Sequence, residues 1–176
     1  MSDKPSYLGL LNSIAVGEAD GEELFCAWAS VTPDPDVKAV LEAVMIREGE
    51  HAKSFAKRIN ELGFSVRPRE APDHAARMAI ARSTSLADCE KFEQLRVGVA
   101  PKDGTDVFAR FMDDQTIDVQ TGQLMGRYIA EERDSNRRLQ ACRAAVAAQM
   151  NGNGNGEVEA RLERIEQALD ALLAKA

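Results

Sequence analysis

Arg47-Glu48-Gly49-Glu50-His51-Ala52-Lys53 decides how this chain folds and where its chemistry lies. The segment sits inside a strongly helical run, with Glu48 and His51 three residues apart, about one helical turn. Both fall on the stripe Val37, Leu41, Val44, Glu48, His51, Phe55, Ile59, Leu62, whose apolar members mark a face turned toward a core. Buried charge is costly unless it is paired or bound to a metal. Two readings of the pair follow. A Glu-x-x-His unit projecting into a helix bundle is how carboxylate-bridged di-iron and di-manganese sites are built. In the other reading, the two side chains neutralise each other or reach solvent.

Outward from this stretch, Asp34 and Pro35 supply a cap and first residue for the helix, and Gly63 a C-terminal stop. A first helix is expected from about Asp3-Lys4-Pro5 to Val31-Thr32-Pro33, with the stripe Leu11, Ile14, Glu18, Phe25, Ala29. A third is expected from near Asp73 to about Val97. Two stripes compete for its inner face: Ala79, Leu86, Glu90, Glu93, Val97, or Ala81, Asp88, Phe92, Leu95, Val99. Asp106 to about Asp114 reads as a short helix or extended turn. The fourth long helix should start between Gln115 and Asp118, with the stripe Met125, Tyr128, Glu132, Ser135, Leu139, Cys142, Val146. Asn151-Gly152-Asn153-Gly154-Asn155-Gly156 reads as a flexible linker. Beyond it, Val158, Leu162, Ile165, Leu169 and Leu172 keep heptad spacing, an amphipathic or coiled-coil helix over 157–176. The expected organisation is therefore all-α: an antiparallel four-helix bundle over 1–150, the linker 151–156, and a tail that docks or self-associates into a homo-oligomer.

Composition narrows the function classes. The 176 residues are 44 % hydrophobic and 29 % charged, ordinary for a globular domain, and only 5 % aromatic. A net charge of −7 argues against a nucleic-acid partner. Three scattered cysteines, Cys26, Cys89 and Cys142, form no C-x-x-C pair, the pattern of a reduced compartment and of small core residues. No apolar window is long enough for a membrane span, and the first residues lack a signal-peptide pattern. A cytoplasmic location without membrane partners is expected. His74 is expected at the surface, and Tyr7 and Trp28 in packing roles.

In an up-down bundle, Glu18 on helix 1, Glu48 and His51 on helix 2, Glu90 on helix 3 and Glu132 on helix 4 come to nearly one level. Carboxylates from four helices at one depth repel unless a cation lies between them.

The runs Leu11-Asn12-Ser13-Ile14-Ala15-Val16-Gly17-Glu18 and Arg47-Glu48-Gly49-Glu50-His51-Ala52-Lys53 resemble the first half of the ferritin-like superfamily, with rubrerythrins and bacterioferritins nearest in pattern. The resemblance spans about Leu8 to Val146. It implies Glu18, Glu48 and His51 as metal ligands, Glu90 as a bridging carboxylate, and Glu93 as the additional glutamate of rubrerythrins. It further implies a dinuclear iron centre, with manganese as the alternative, that oxidises Fe(II) with O2 or reduces peroxide. Helix 4 departs from the pattern: the expected Glu-x-x-His reads Glu132-x-x-Ser135. Three outcomes stay open. Glu93 or Asp134 replaces the lost histidine, the second metal binds weakly, or the register is Glu131-x-x-Asp134. Tyr128, one turn before Glu132, is either core packing or a catalytic donor of a hydrogen bond or electron to peroxide. Without a cysteine knuckle, any electron donor is a separate molecule. The rival reading is a metal-depleted scaffold that acts as an interaction module. An oxygenase-type centre with an organic substrate is a third.

Overall fold

The computed structural model describes residues 4–69, 71–99 and 114–173, with side chains described as far as 150. The elements are α1 (Leu8–Ala29), α2 (Pro35–Glu61), α3 (His74–Arg82), α4 (Asp88–Leu95) and α5 (Val119–Leu173). There is no strand among the described residues. The expected short helix over Asp106–Asp114 falls almost wholly outside them.

Local chemistry sets most of the boundaries. The Asp34 carboxylate accepts the backbone N–H groups of Asp36 (2.8 Å) and Val37 (3.2 Å) with Pro35 at the first position, as expected for α2. Gly63 follows at φ 84°, the left-handed conformation that ends helices. Asp118 caps α5 by accepting from the Thr121 N–H at 3.0 Å. α1 starts later than expected, at Leu8, because Pro5 accepts from the Leu8 N–H in a preceding turn.

Two expectations are corrected. The single third helix is two helices, α3 and α4, broken at residues 83–87. There the Ser83 hydroxyl accepts from the N–H groups of Ser85 and Leu86, a local bond that competes with the helical ladder. The second of the competing stripes faces inward as far as Leu95: Ala81, Phe92 and Leu95 are buried, and Asp88 accepts from the Trp28 indole at 2.6 Å, but Val99 is exposed and Val97 of the other stripe is buried in its place. The Asn/Gly run 151–156 lies within a continuous helix and not between two. Neither Asn nor Gly bars helical dihedrals as proline does; each glycine costs about 1 kcal/mol relative to alanine, and strong helix formers flank the run.

α1 and α2 form an antiparallel hairpin, and α5 runs antiparallel to α2, so that Arg47 meets Ser135 and Arg58 meets Thr121. α3 packs on α1, and α4 bridges α3 and α5. The apolar interior is in two parts. One holds Leu24, Trp28, Leu41, Val44, Phe92 and Leu139; the other holds Leu11, Ile14, Phe55, Ile59, Met125 and Tyr128. Along α1 the parts are separated at Glu18, along α2 at Arg47–His51, and along α5 at Glu131–Ser135.

The far end of the second part is pinned by a buried guanidinium that sequence reading did not anticipate. Arg58 donates to Asp118 (2.8 Å), Thr121 (2.9 Å), Gln120 (2.8 Å) and Glu61 (3.0 Å), while Tyr7 donates to the other Asp118 oxygen at 2.7 Å. Burial raises the Asp118 carboxyl, but its bonds to Thr121, Tyr7 and Arg58 hold it far below the usual carboxylate range. Arg58→Ala should therefore cost about 2–3 kcal/mol, or about 4–12 °C in Tm for a chain of this size. Arg58→Lys should recover less than half of the loss, because an ammonium cannot reproduce the fork. Thermal unfolding followed by circular dichroism measures both.

Candidate metal centre

The layer between the two apolar parts is built from three helices. α1 contributes Glu18, α2 Glu48 and His51, and α5 Glu131 and Glu132. Glu18 is 7 % exposed and His51 3 %. Nδ1 of His51 lies 3.0 Å from Glu18 Oε2 and 3.6 Å from Glu132 Oε1, and its Nε2 lies 2.8 Å from Glu131 Oε2. One ligand atom each from Glu18, His51 and Glu132 fits within 4.8 Å of the others, the spacing of groups around one cation. Glu132 Oε1 is buried without a hydrogen-bond partner, facing Nδ1 of His51. An orphaned buried carboxylate oxygen is rare and costly unless something answers its charge.

Backbone choices make the layer possible. At Gly21 an added Cβ would collide with the Glu48 carboxylate, and at Gly49 with that of Glu22. Two glycines in helix interiors, each facing a glutamate of the opposing helix, let α1 and α2 approach across carboxylates. Tyr128 packs edge-on against both His51 and Phe55, with ring centroids 4.9 and 5.1 Å away, and its hydroxyl donates to Glu18 Oε1 at 2.8 Å. The tyrosine thus fixes the carboxylate that its helix faces.

Electrostatics follow from burial and crowding. Burial, then the charges of Glu18 and Glu132, push the Glu48 carboxyl up to about 9, and Glu48 shares a hydrogen bond with Glu18. Glu132 is raised to about 7, by burial first and Glu18 second. Burial pulls His51 down, but its hydrogen bonds to Glu18 and Glu131 and the surrounding negative charge outweigh this and leave it raised. Burial likewise drives the Tyr128 phenol far above its ordinary value, with Glu18 and Glu132 adding to it. Glu131, opposed by burial but bonded to His51 and Arg127, is lowered.

The remaining candidates lie elsewhere. Glu90 is exposed and accepts the Ala87 N–H at 2.8 Å as the first-turn cap of α4. Glu93 is exposed and pairs with Arg143. The break at residues 83–87 turned α4 so that both point outward, leaving helix 3 without a carboxylate in the layer. Asp134 is bound by Arg47 (2.9 Å), Arg138 (2.7 Å) and Arg137 (3.2 Å), which hold it down at about 2. Ser135 is buried and accepts from Arg47 at 3.0 Å. The same Arg47 nitrogen also donates to the Glu131 carbonyl at 3.1 Å. Arg47 lies in the stretch that organises the sequence, yet nothing in its spacing announced that it reaches across to α5. His74 is half-buried rather than superficial, between Asp20 (3.8 Å) and Glu23 (3.4 Å). Cys26 is exposed, unlike the core position expected for it.

The shifts of Glu48, Glu132 and His51 share one sign. The unfolded chain releases the Glu48 and Glu132 protons near their ordinary value of 4.5, whereas the folded metal-free chain keeps them to about 9 and about 7. His51 likewise holds its proton longer when folded. Raising the pH from about 5 to about 9 therefore removes protons preferentially from the unfolded state, and metal-free stability falls. Glu48→Gln, which mimics the protonated acid, should flatten this decline. At pH 8 it should raise Tm by about 3–6 °C, on the order of 1–2 kcal/mol. Calorimetric Tm against pH in chelator tests it; an unchanged slope defeats the assignment.

Comparison with protein-family models, with curated proteins and with solved structures finds no match to this chain.

Proposed function

We propose that the protein is a ferritin-like helical bundle that binds a divalent first-row metal, iron or manganese, through Glu18, His51 and Glu132 with Glu48 beside them. The supporting observation is the close set of ligand atoms around the unpartnered Glu132 oxygen. Charge accounting supports it. Four carboxyl groups, Glu18, Glu48, Glu131 and Glu132, face the fixed cations Arg47 and Arg127 and one imidazole. Neutrality then requires a proton on His51 and another on Glu48, or a divalent ion in place of both. Glu131 accepting the Nε2–H would leave the Nδ1 lone pair aimed between Glu18 and Glu132, the carboxylate–histidine support common behind metal-bound imidazole.

Carboxylates with one imidazole suit Fe or Mn, and such an ion supplies redox chemistry toward O2 or peroxide. The chain's own part is to hold the ion and shield it. Tyr128 fixes Glu18, Glu131 fixes His51, and the apolar parts on either side exclude water. Electrons come from a separate donor. The resemblance implies a second ion, but the position it assigns to a second imidazole is Ser135, bonded to Arg47. The stoichiometry we propose is one ion per chain.

Elemental analysis of protein loaded with Fe(II) or Mn(II) should give one ion per chain, falling below about a tenth on His51→Ala or Glu18→Ala. Two ions would restore the dinuclear reading, and none would defeat the metal reading. Affinity should rise by about two to three decades per pH unit between pH 5.5 and 7, since each ion displaces the protons of Glu48 and His51 and, increasingly toward the acid end, that of Glu132. A pH-independent affinity contradicts the proton exchange.

The scaffold reading keeps one specific support. α5 has 55 residues against 27 in α2, about 80 Å against 40 Å at 1.5 Å per residue, so α2 can flank only half of it. The heptad positions Val158, Leu162, Ile165, Leu169 and Leu172 lie on the other half. Ending the chain at Met150 should convert an oligomer to a monomer in light scattering, with metal content unchanged. Lost metal with an unchanged mass would reverse that assignment.

A further inference from the structure

One cleft has Glu48, the carboxyl group beside the proposed ligands, in its own wall. It lies where α1, α2 and α3 meet, with a volume of about 320 Å³, and Glu48 stands in it beside Gly17, Asp20, Gly21, His74 and Arg77. Gly17 and Gly21 are one turn apart on α1 and so share a face. A Cβ at Gly21 would strike the Glu48 carboxylate, while one at Gly17 would meet nothing within 4 Å. The glycines thus open a notch in α1, and Glu48 reaches from the buried layer into it. Further out, His74 stands between Asp20 and Glu23, with its ring nitrogens 3.8 and 3.4 Å from their oxygens. Arg77 is exposed and pairs with no acid among the described residues.

We propose that this cleft is the mouth of the metal centre, through which a hydrated divalent cation passes from solvent to Glu48. The inference rests on the metal reading above. At roughly 30 Å³ per water, the cleft has room for about ten waters, enough for an ion with its first shell. Asp20 and His74 offer an oxygen and a nitrogen at its outer part, donors that exchange readily with the waters of Fe(II) or Mn(II). Glu48 receives the ion from them and belongs to both compartments. Arg77 opposes the cation at the rim, so the approach is electrostatically gated and depends on ionic strength.

Stopped-flow mixing of the full-length metal-free protein with Co(II), followed by ligand-field absorption, tests the route. Gly17→Leu should slow loading at least about tenfold with the same end-point, by filling open space in the passage. Gly9→Leu, a glycine of α1 outside this cleft whose Cβ also meets nothing, should load at the wild-type rate. Asp20→Asn should slow loading and Arg77→Ala should speed it, both effects shrinking as salt is raised. Wild-type loading in Gly17→Leu overturns the route while leaving the metal reading intact. No cobalt uptake by the wild type defeats the metal reading itself. If Gly17→Leu does not fold, Arg77→Ala decides: faster loading supports the route, and an unchanged rate overturns it.

Discussion

A layer of carboxyl groups around one imidazole, set across the middle of a helical core with Glu18 and His51 buried, is the constraint to which the rest of the chain answers. Glu18, Glu48, Glu131 and Glu132 gather around His51 where an ordinary bundle would place leucine and valine. Such a layer is destabilising by itself, because its inner carboxyl groups are largely withdrawn from water and like charges are crowded together. It is eased because burial and the neighbouring carboxylates favour the protonated form of Glu48, because Glu18 and Glu131 favour that of His51, and because Arg47 and Arg127 bring positive charge from the flanks. A protonated acid network is sensitive to pH and to any cation able to displace the protons.

The neighbouring structure holds the layer in register. Below it, Trp28 and Phe92 pack edge-on, with centroids 4.7 Å apart, and the indole is fastened to Asp88. Above it, the Arg58 fork fixes the start of α5 against α2. With the start of α5 pinned to α2 by that fork, a one-residue slip of α5 would remove Glu132 from His51 and Ser135 from Arg47 together. The notches at Gly21 and Gly49 do the same for α1 and α2, since neither helix can slide without driving a Cβ into a glutamate. Packing alone would tolerate such shifts; the glutamates do not.

The sequence made the hairpin legible because its signals are local. Asp34-Pro35 and Gly63 act on the backbone within a few residues, and the α2 stripe repeats often enough to survive two polar members. Glu18 and Glu132 were legible as polar residues on otherwise apolar stripes. Glu90 and Glu93 misled because their stripe presumed an unbroken helix. The Ser83 bonds that break it are individually weak, and no propensity sum exposes them. Arg47 was illegible for another reason: a long side chain can reach across a helix interface, and spacing along one helix does not say which neighbour it meets.

Arg47 also changes what the serine at 135 means. Read along α5, Ser135 is an absence, a place where an imidazole is expected and a weak ligand stands. Read across to α2, it is one of three acceptors that hold a guanidinium, with the Asp134 carboxylate and the Glu131 carbonyl. A permanent cation on that side offsets part of the rise of Glu132, as a second cation would, but it carries no exchangeable position and no redox state. A histidine at 135 would be driven off by the same guanidinium, since like charges or competing donors cannot share so small a space. On the metal reading proposed above, a second position would require two changes, Ser135→His together with Arg47→Ala, and either alone should leave the ion count from elemental analysis at its wild-type value. The Arg47–Ser135 contact is a coupled feature of two helices, and its two halves are visible only together.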